Sequence, residues 1–158
     1  MITQQDKQYL KRCVGLAKKA LEEGNEPFGS ILVAKNGDIL FEDHNCISNG
    51  DPTQHPEFSI ARWAAEHLTE YERADVTVYT SGEHCPMCAA AHGLVGLGRI
   101  VYASSTEQLK EWRKTLGIVK GNVKGLAITE VINNVQVEGP VEELAEQIRL
   151  LHYQKNRA

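Results

Sequence analysis

Four side chains in two short segments carry the types and spacing that do chemistry. His55-Pro56-Glu57 supplies an imidazole and, two residues on, a carboxylate. Cys85-Pro86-Met87-Cys88 supplies two thiols in a C-x-x-C. A catalytic zinc site takes three protein ligands of N or S type and leaves one position open for water. His55, Cys85 and Cys88 form such a set, and Glu57 is then a carboxylate beside the metal, free to move protons. Two blander readings compete. A structural zinc domain would close the site with a fourth ligand, for which His84 and His92 are candidates. A disulfide oxidoreductase would use the C-x-x-C alone, and would need neither His55 nor Glu57.

The elements that must position these groups follow from the local sequence. A C-x-x-C at the first turn of a helix places its sulfurs near the helix N-terminus, which favours thiolates. Pro86 suits that turn, because its missing N–H has no helical partner there. A helix beginning near His55 would set His55 and Glu57 about 200° apart around its axis. They converge on one ion only if His55 sits at the frayed start.

The pair of segments resembles the signature of the zinc-dependent cytidine deaminase superfamily, H-x-E followed by P-C-x-x-C. The likeness extends to Glu26-Pro27-Phe28-Gly29-Ser30-Ile31-Leu32-Val33, to Asn45, to Asp51-Pro52-Thr53 and to Val78-Tyr79-Thr80-Ser81. These are similar to the guanine deaminase, tRNA adenosine deaminase and fungal cytosine deaminase branch, over roughly residues 5 to 105. His84 stands where the family has Pro, and Pro56 where this branch usually has Ala.

The resemblance implies one Zn²⁺ per chain on His55, Cys85 and Cys88, Glu57 as the proton carrier, and a homodimer. It implies substrate contacts from Asn45 to the base, from Phe28 to its ring and from the Glu83 carbonyl to the leaving amine; His84, which departs from the family, is expected at the substrate site, reshaping the loop beneath or acting as a rival ligand or proton donor. The expected reaction is hydrolytic deamination of a small amino-heterocycle, guanine-like purines first and cytosine-like pyrimidines second. A tRNA adenosine deaminase is the alternative.

Bulk composition bounds the rest. The 158 residues suit one domain, 1–158, of ordinary globular composition, 42% hydrophobic and 24% charged. Seventeen basic and 21 acidic side chains give a net charge of −4, which argues against nucleic acid as a partner. The N-terminus lacks a signal-peptide layout, and no apolar run reaches the ~20 residues of a membrane span. Two cysteines beyond the C-x-x-C do not make a disulfide framework, so a reducing, cytoplasmic setting is expected.

Along the chain, Thr3 and Asp6 start a helix that ends near Gly24. Strands follow over Ser30–Ala34 and Ile39–His44, joined at the Asn36-Gly37 turn. The next elements are a helix from His55 to about Leu68, a strand at 76–80 and an apolar helix at 85–97. A strand at 99–104 is followed by a helix capped by Ser104 with Glu107. The last expected elements are a fifth strand at 126–131 and a helix from Val141. Cys13 is read as core and Cys46 as packing beside Asn45. His44, His67 and His152 are read as surface or supporting residues, and Lys110 to Lys114 as a solvated helix face. The order fits an α/β fold, a three-layer α/β/α sandwich around a five-stranded mixed sheet of cytidine deaminase type.

Overall fold

In the computed structural model, which describes residues 1–157, Thr3 and Asp6 form the reciprocal capping box that their spacing predicts. It opens α1, Gln4–Glu22, whose Leu10, Cys13, Ala17 and Ala20 are fully buried. β1 (Gly29–Val33) and β2 (Ile39–His44) form the expected hairpin. A 3₁₀ turn (Ile47–Asn49) precedes α2 (Pro56–His67) and α3 (Glu70–Asp75). Then come β3 (Thr77–Gly82), α4 (Pro86–Val95), β4 (Arg99–Ser104), α5 (Thr106–Thr115), α6 (Ile128–Val131), β5 (Val137–Glu138) and α7 (Glu142–Lys155).

The five strands form one mixed sheet in the order β2-β1-β3-β4-β5. β1 runs antiparallel to both β2 and β3, while β4 runs parallel to β3 and to β5. The parallel pairs need long crossovers, which α4 and the α5–α6 segment provide.

Side-chain alternation along the strands divides the core between two faces. Ile31, Tyr79, Val101 and Ala103 meet α1 and α7 on one face. Leu32 and Val78 meet Ile60, Ala61 and Ala64 of α2 on the other, where Ile100 packs with Ala89 and Ile128. Helices on both faces of a mixed sheet make the three-layer α/β/α sandwich. The α1 layer lies very close: a Cβ on Gly29 would stand 2.4 Å from Leu16 Cβ and 2.6 Å from the Cys13 carbonyl oxygen. Only glycine fits there.

Some boundaries differ from those expected. The fifth strand is Val137–Glu138, and the apolar stretch at 126–131 holds α6 instead. The cap of α5 falls one residue later, on Ser105 with Gln108, because Ser104 belongs to β4 and its hydroxyl donates to the Ser81 carbonyl at 2.7 Å. The short α3 was not anticipated. His152 is buried, which makes it a supporting residue and not a surface one, within the two readings given. Cys13 is core, as read, and Lys110 and Glu111 lie exposed on α5.

Asp6 ties the layers together. Its carboxylate accepts the Thr3 N–H at 2.9 Å, the Tyr79 hydroxyl of β3 at 2.6 Å, and both Arg99 NH groups of β4 at 2.9 Å. Burial raises its pKa, but the Arg99 hydrogen bonds, the Thr3 N–H and the Tyr79 hydroxyl outweigh that and hold it well below the carboxylate range. A folded pKa below the unfolded value of about 3.9 adds stability in full above that value, lost as pH falls through the folded one. Asp6→Asn leaves the half-buried Arg99 guanidinium with Glu138 as its charge partner and should cost about 2 kcal/mol in urea unfolding at pH 7. The gap between variant and wild type should narrow as the pH is lowered toward 2.

Candidate active site

Two helix N-termini build the site. His55 is the N-cap of α2 and Cys85 the N-cap of α4, both with extended backbone, and a proline follows each in the first turn. α2 and α4 pack side by side on the same face of the sheet, so both starts reach one point. His55 thus leaves the helical path, and the 200° separation from Glu57 is relieved.

The three ligand atoms form a nearly equilateral triangle. Cys85 Sγ lies 3.5 Å and Cys88 Sγ 3.6 Å from His55 Nδ1, and the two sulfurs are 3.6 Å apart. A tetrahedral zinc with ordinary Zn–S and Zn–N bonds needs sulfur–sulfur and sulfur–nitrogen edges of about 3.8 and 3.6 Å. The donor set and its spacing therefore fit zinc. Among the described residues no other His, Cys, Asp or Glu joins the cluster, so neither His84 nor His92 closes it.

The charges in the triangle suit a cation. Cys85 is brought down to about 4 by the hydrogen bond from Cys88 and by His55, against the opposing effect of burial. Cys88 moves up, because it gives its proton to that hydrogen bond and is buried beside Glu57. His55 is raised by its hydrogen bond with Cys85, against burial. One proton is thus divided between two sulfurs, and metal uptake releases it.

Glu57 stands next to this triangle without belonging to it. It is buried, and burial raises its pKa against the Ser30 hydrogen bond. Its Oε1 accepts the Ser30 hydroxyl at 2.7 Å and the Thr80 hydroxyl at 3.0 Å. Ser30 and Thr80 face each other across β1 and β3. Their oxygens are 2.8 Å apart, and Thr80 Oγ1 also reaches the Gly82 carbonyl at 2.9 Å. By sequence Ser30 and Thr80 are only members of strands and of the two family-like segments, with no role of their own. The one hydroxyl in the otherwise apolar β1, Ser30, is the signal the sequence offers; Thr80 is one of several hydroxyl residues of β3.

The other expected site residues lie around the same strand ends. Asn45 is buried, its backbone N–H donates to the Phe28 carbonyl, and its Oδ1 accepts the Ile47 N–H at 3.2 Å. The Phe28 ring covers Gly82, where a Cβ would stand 3.1 Å from it. It packs edge-on against His152 of α7 at 5.2 Å, and His152 packs in turn on Trp112 at 5.8 Å. Burial, then the Arg113 charge, brings His152 down to about 3, so this imidazole is neutral.

Glu83 spends its carboxylate on the backbone N–H groups of Thr106 and Ile128, each at 2.9 Å. That binds the cysteine loop to the starts of α5 and α6. His84 is turned inward, 1% exposed, with its ring perpendicular to His92 at 5.5 Å. His92 Nε2 contacts the Gly98 carbonyl at 2.8 Å, so His92 packs α4 onto the turn before β4. A surface cavity of about 370 Å³ between the β1–β2 hairpin and α3 contains none of these residues.

Residues 3–104 match the model of the cytidine and deoxycytidylate deaminase zinc-binding region. The chain belongs to this family. It is 32% identical over 108 residues to a "Probable cytosine deaminase" of Schizosaccharomyces pombe, covering 68% of this chain and 65% of that protein. It is 34% identical over 101 residues to a tRNA-specific adenosine deaminase of Bacillus subtilis, covering 63% and 62%. The solved guanine deaminase of Bacillus subtilis superposes with a TM-score of 0.59 at 36% identity, covering 66% of this chain and 68% of that one. The match spans only 65% of the cytosine deaminase, 54% of a curated guanine deaminase of Bacillus subtilis and 62% of the tRNA-specific adenosine deaminase. Membership in a zinc-binding deaminase family and the triangle of His55, Cys85 and Cys88 assign the same cofactor.

Zinc at a hundredfold excess over its dissociation constant stabilises a folded chain by about 2.7 kcal/mol, or roughly 5–10 °C for this size. Chelation should lower the melting temperature by that order. Cys88→Ser should abolish stoichiometric zinc by elemental analysis and melt at the temperature of the chelated protein.

Proposed function

We propose that the chain is a zinc-dependent hydrolytic deaminase of a small amino-heterocycle, a guanine-like purine first and a cytosine-like pyrimidine second. The observation that carries this reading is a buried carboxylate, Glu57, beside a three-ligand metal triangle and outside it. A structural zinc site has no use for such a group, and it is closed by four protein ligands. A thiol–disulfide enzyme has no use for His55 or Glu57.

The reaction replaces the ring C–NH₂ by C=O, consuming water and releasing ammonia. Zinc, when bound by His55, Cys85 and Cys88, supplies Lewis acidity and an activated water near neutral pH. The chain's own groups do the rest. Glu57 takes one proton from the attacking water and gives it to the ring nitrogen, then takes the second from the resulting C–OH and gives it to the amine, which departs as ammonia. With Oε1 held by Ser30 and Thr80, Oε2 is the atom that carries this proton.

The substrate contacts belong to the same proposal. Asn45 has its carbonyl oxygen committed to Ile47, which leaves its amide N–H groups for acceptors on the base. Phe28 offers a ring against which a planar base can pack. The Cys85 N–H and the Glu83 carbonyl face the reacting oxygen and the leaving amine. His84, buried against His92, contributes by shaping the loop under the base. The related proteins named above act on cytosine, guanine and tRNA adenosine. The acidic balance of this chain favours a free base or nucleoside over a folded RNA. No helix among the described residues is long and apolar enough to cross a membrane. The exposed Leu94 on the outer face of α4 supports a homodimer, which gel filtration would read as twice 17.6 kDa.

An ammonia-release screen over guanine, guanosine, cytosine, cytidine, adenine, adenosine and amino-triazines tests the reading, with a tRNA anticodon stem-loop as the competing substrate. Turnover of a free base or nucleoside is the expected outcome. Turnover of the stem-loop alone would overturn the small-molecule assignment. Glu57→Gln should retain one zinc and lose turnover by at least ~100-fold.

A further inference from the structure

The mechanism needs only Glu57, but the structure surrounds it with two hydroxyls whose presence needs its own account. Ser30 and Thr80 are fully buried and lie directly opposite each other on neighbouring antiparallel strands. Both reach the same carboxylate oxygen, Glu57 Oε1, and they also touch each other. Thr80 has a further acceptor in the Gly82 carbonyl. Two hydroxyl protons therefore have three acceptor oxygens within reach: Glu57 Oε1, Thr80 Oγ1 and Gly82 O.

We propose that Ser30 and Thr80 are positioning residues that immobilise one oxygen of Glu57 and reserve the other for proton transfer. The inference rests on the deaminase reading of this site and adds residues to it.

A glutamate has three rotatable side-chain bonds, and ordering such a side chain costs free energy that packing or hydrogen bonds must offset. Proton transfer requires the carboxylate within hydrogen-bond reach of the reacting groups, and misplacement by about 1 Å can cost roughly 100-fold in rate. Two donors converging on Oε1 from a rigid strand pair fix the plane and position of the carboxylate, which then presents Oε2 in one place.

The protons can also follow the chemistry without heavy-atom movement. When Glu57 carries its negative charge, both hydroxyls can turn toward Oε1. When it holds a proton, Ser30 can turn to Thr80 and Thr80 to the Gly82 carbonyl. No buried donor loses its partner in either arrangement, which matters because an orphaned buried polar group costs about 1–3 kcal/mol. An apolar pair at these positions would leave Oε1 without any such support. A pair of fixed N–H donors could not turn away.

The test uses the full-length, zinc-loaded chain and the base from the ammonia screen that the wild type turns over fastest. Ser30→Ala, Thr80→Val and the double variant should each bind one zinc. Their kcat should fall by roughly 10- to 100-fold while KM stays within about twofold of the wild type. Thr80→Ser, which restores the hydroxyl, should recover most of the lost kcat. A role confined to folding would instead lower the melting temperature with kcat unchanged in the folded fraction, and Thr80→Val, close in shape to threonine, would then differ little from wild type. Crystal structures of the zinc-loaded variants supply a readout independent of turnover. Glu57 should leave its wild-type rotamer or split between two. A double variant with unchanged kcat, or with Glu57 unmoved, overturns the assignment. If the wild type deaminates none of the bases, the deaminase reading fails, and the Glu57 rotamer still decides whether Ser30 and Thr80 hold it.

Discussion

A carboxylate that has left water must find its hydrogen-bond donors in the fold, and much of this structure follows from meeting that requirement at Glu57. The donors come from strands, not loops. β1 and β3 lie adjacent and antiparallel, so that Ser30 and Thr80 share a rung of the sheet. The period-two alternation of strands puts both hydroxyls on the face that α2 covers, while Ile31 and Tyr79 turn to α1. A slip of one residue in this register would send the hydroxyls to the apolar α1 face and bring Ile31 to the carboxylate. The hydrophobic core thus holds the polar site in register: the same alternation that buries Leu32 and Val78 against α2 presents Ser30 and Thr80 to Glu57.

The metal triangle depends on a second constraint, the meeting of two helix starts. α2 and α4 both begin just beyond the sheet edge at which β1 and β3 place Ser30 and Gly82. His55 and Cys85 are caps, which frees their backbones from helical angles, and Cys88 sits one turn into α4. A helix start gathers unpaired N–H groups and partial positive charge, which favours thiolate over thiol. The Glu83 carboxylate makes a related use of helix starts, accepting from the first residues of α5 and α6. One loop, 83–85, thereby anchors the cysteines to the second half of the chain.

Legibility in the sequence followed the range of the interactions. The ligand triangle could be read because H-x-E and C-x-x-C compress most of its geometry into adjacent residues. The first helix could be read because Thr3 and Asp6 are three apart. The fifth strand could not. Ala127-Ile128-Thr129-Glu130-Val131 is short and apolar enough for either state, and what decides it is the Glu130 carboxylate returning to the Ala127 N–H at 2.9 Å. The actual strand, Val137–Glu138, has only two residues and is defined by its partner β4. The cap of α5 was ambiguous because Ser104 and Ser105 both have an acid or amide three residues on. Long-range pairing settled it, since Ser104 hydrogen-bonds to β3. Ser30 with Thr80 is the same kind of case, two residues fifty positions apart that become neighbours only through the sheet.

The division between shared chemistry and particular substrate falls at the same place in the chain. The family match ends at Ser104, and by then His55, Glu57, Cys85 and Cys88 have all been supplied. Every element after it is peripheral to the triangle. Yet two of those elements reach the site's edge: α5 brings Trp112 and α7 brings His152 onto the Phe28 ring. Phe28 is pinned on its other side by Gly82, whose missing Cβ leaves just enough room for the ring. Its position is therefore set jointly, from the matched segment by a glycine and from the segment after it by a neutral imidazole. On the proposed reading Phe28 lies along the base, so a change in α5 or α7 would move the wall of the pocket without disturbing the metal or Glu57. That arrangement gives a physical reason why the metal and carboxylate motif alone does not name the base.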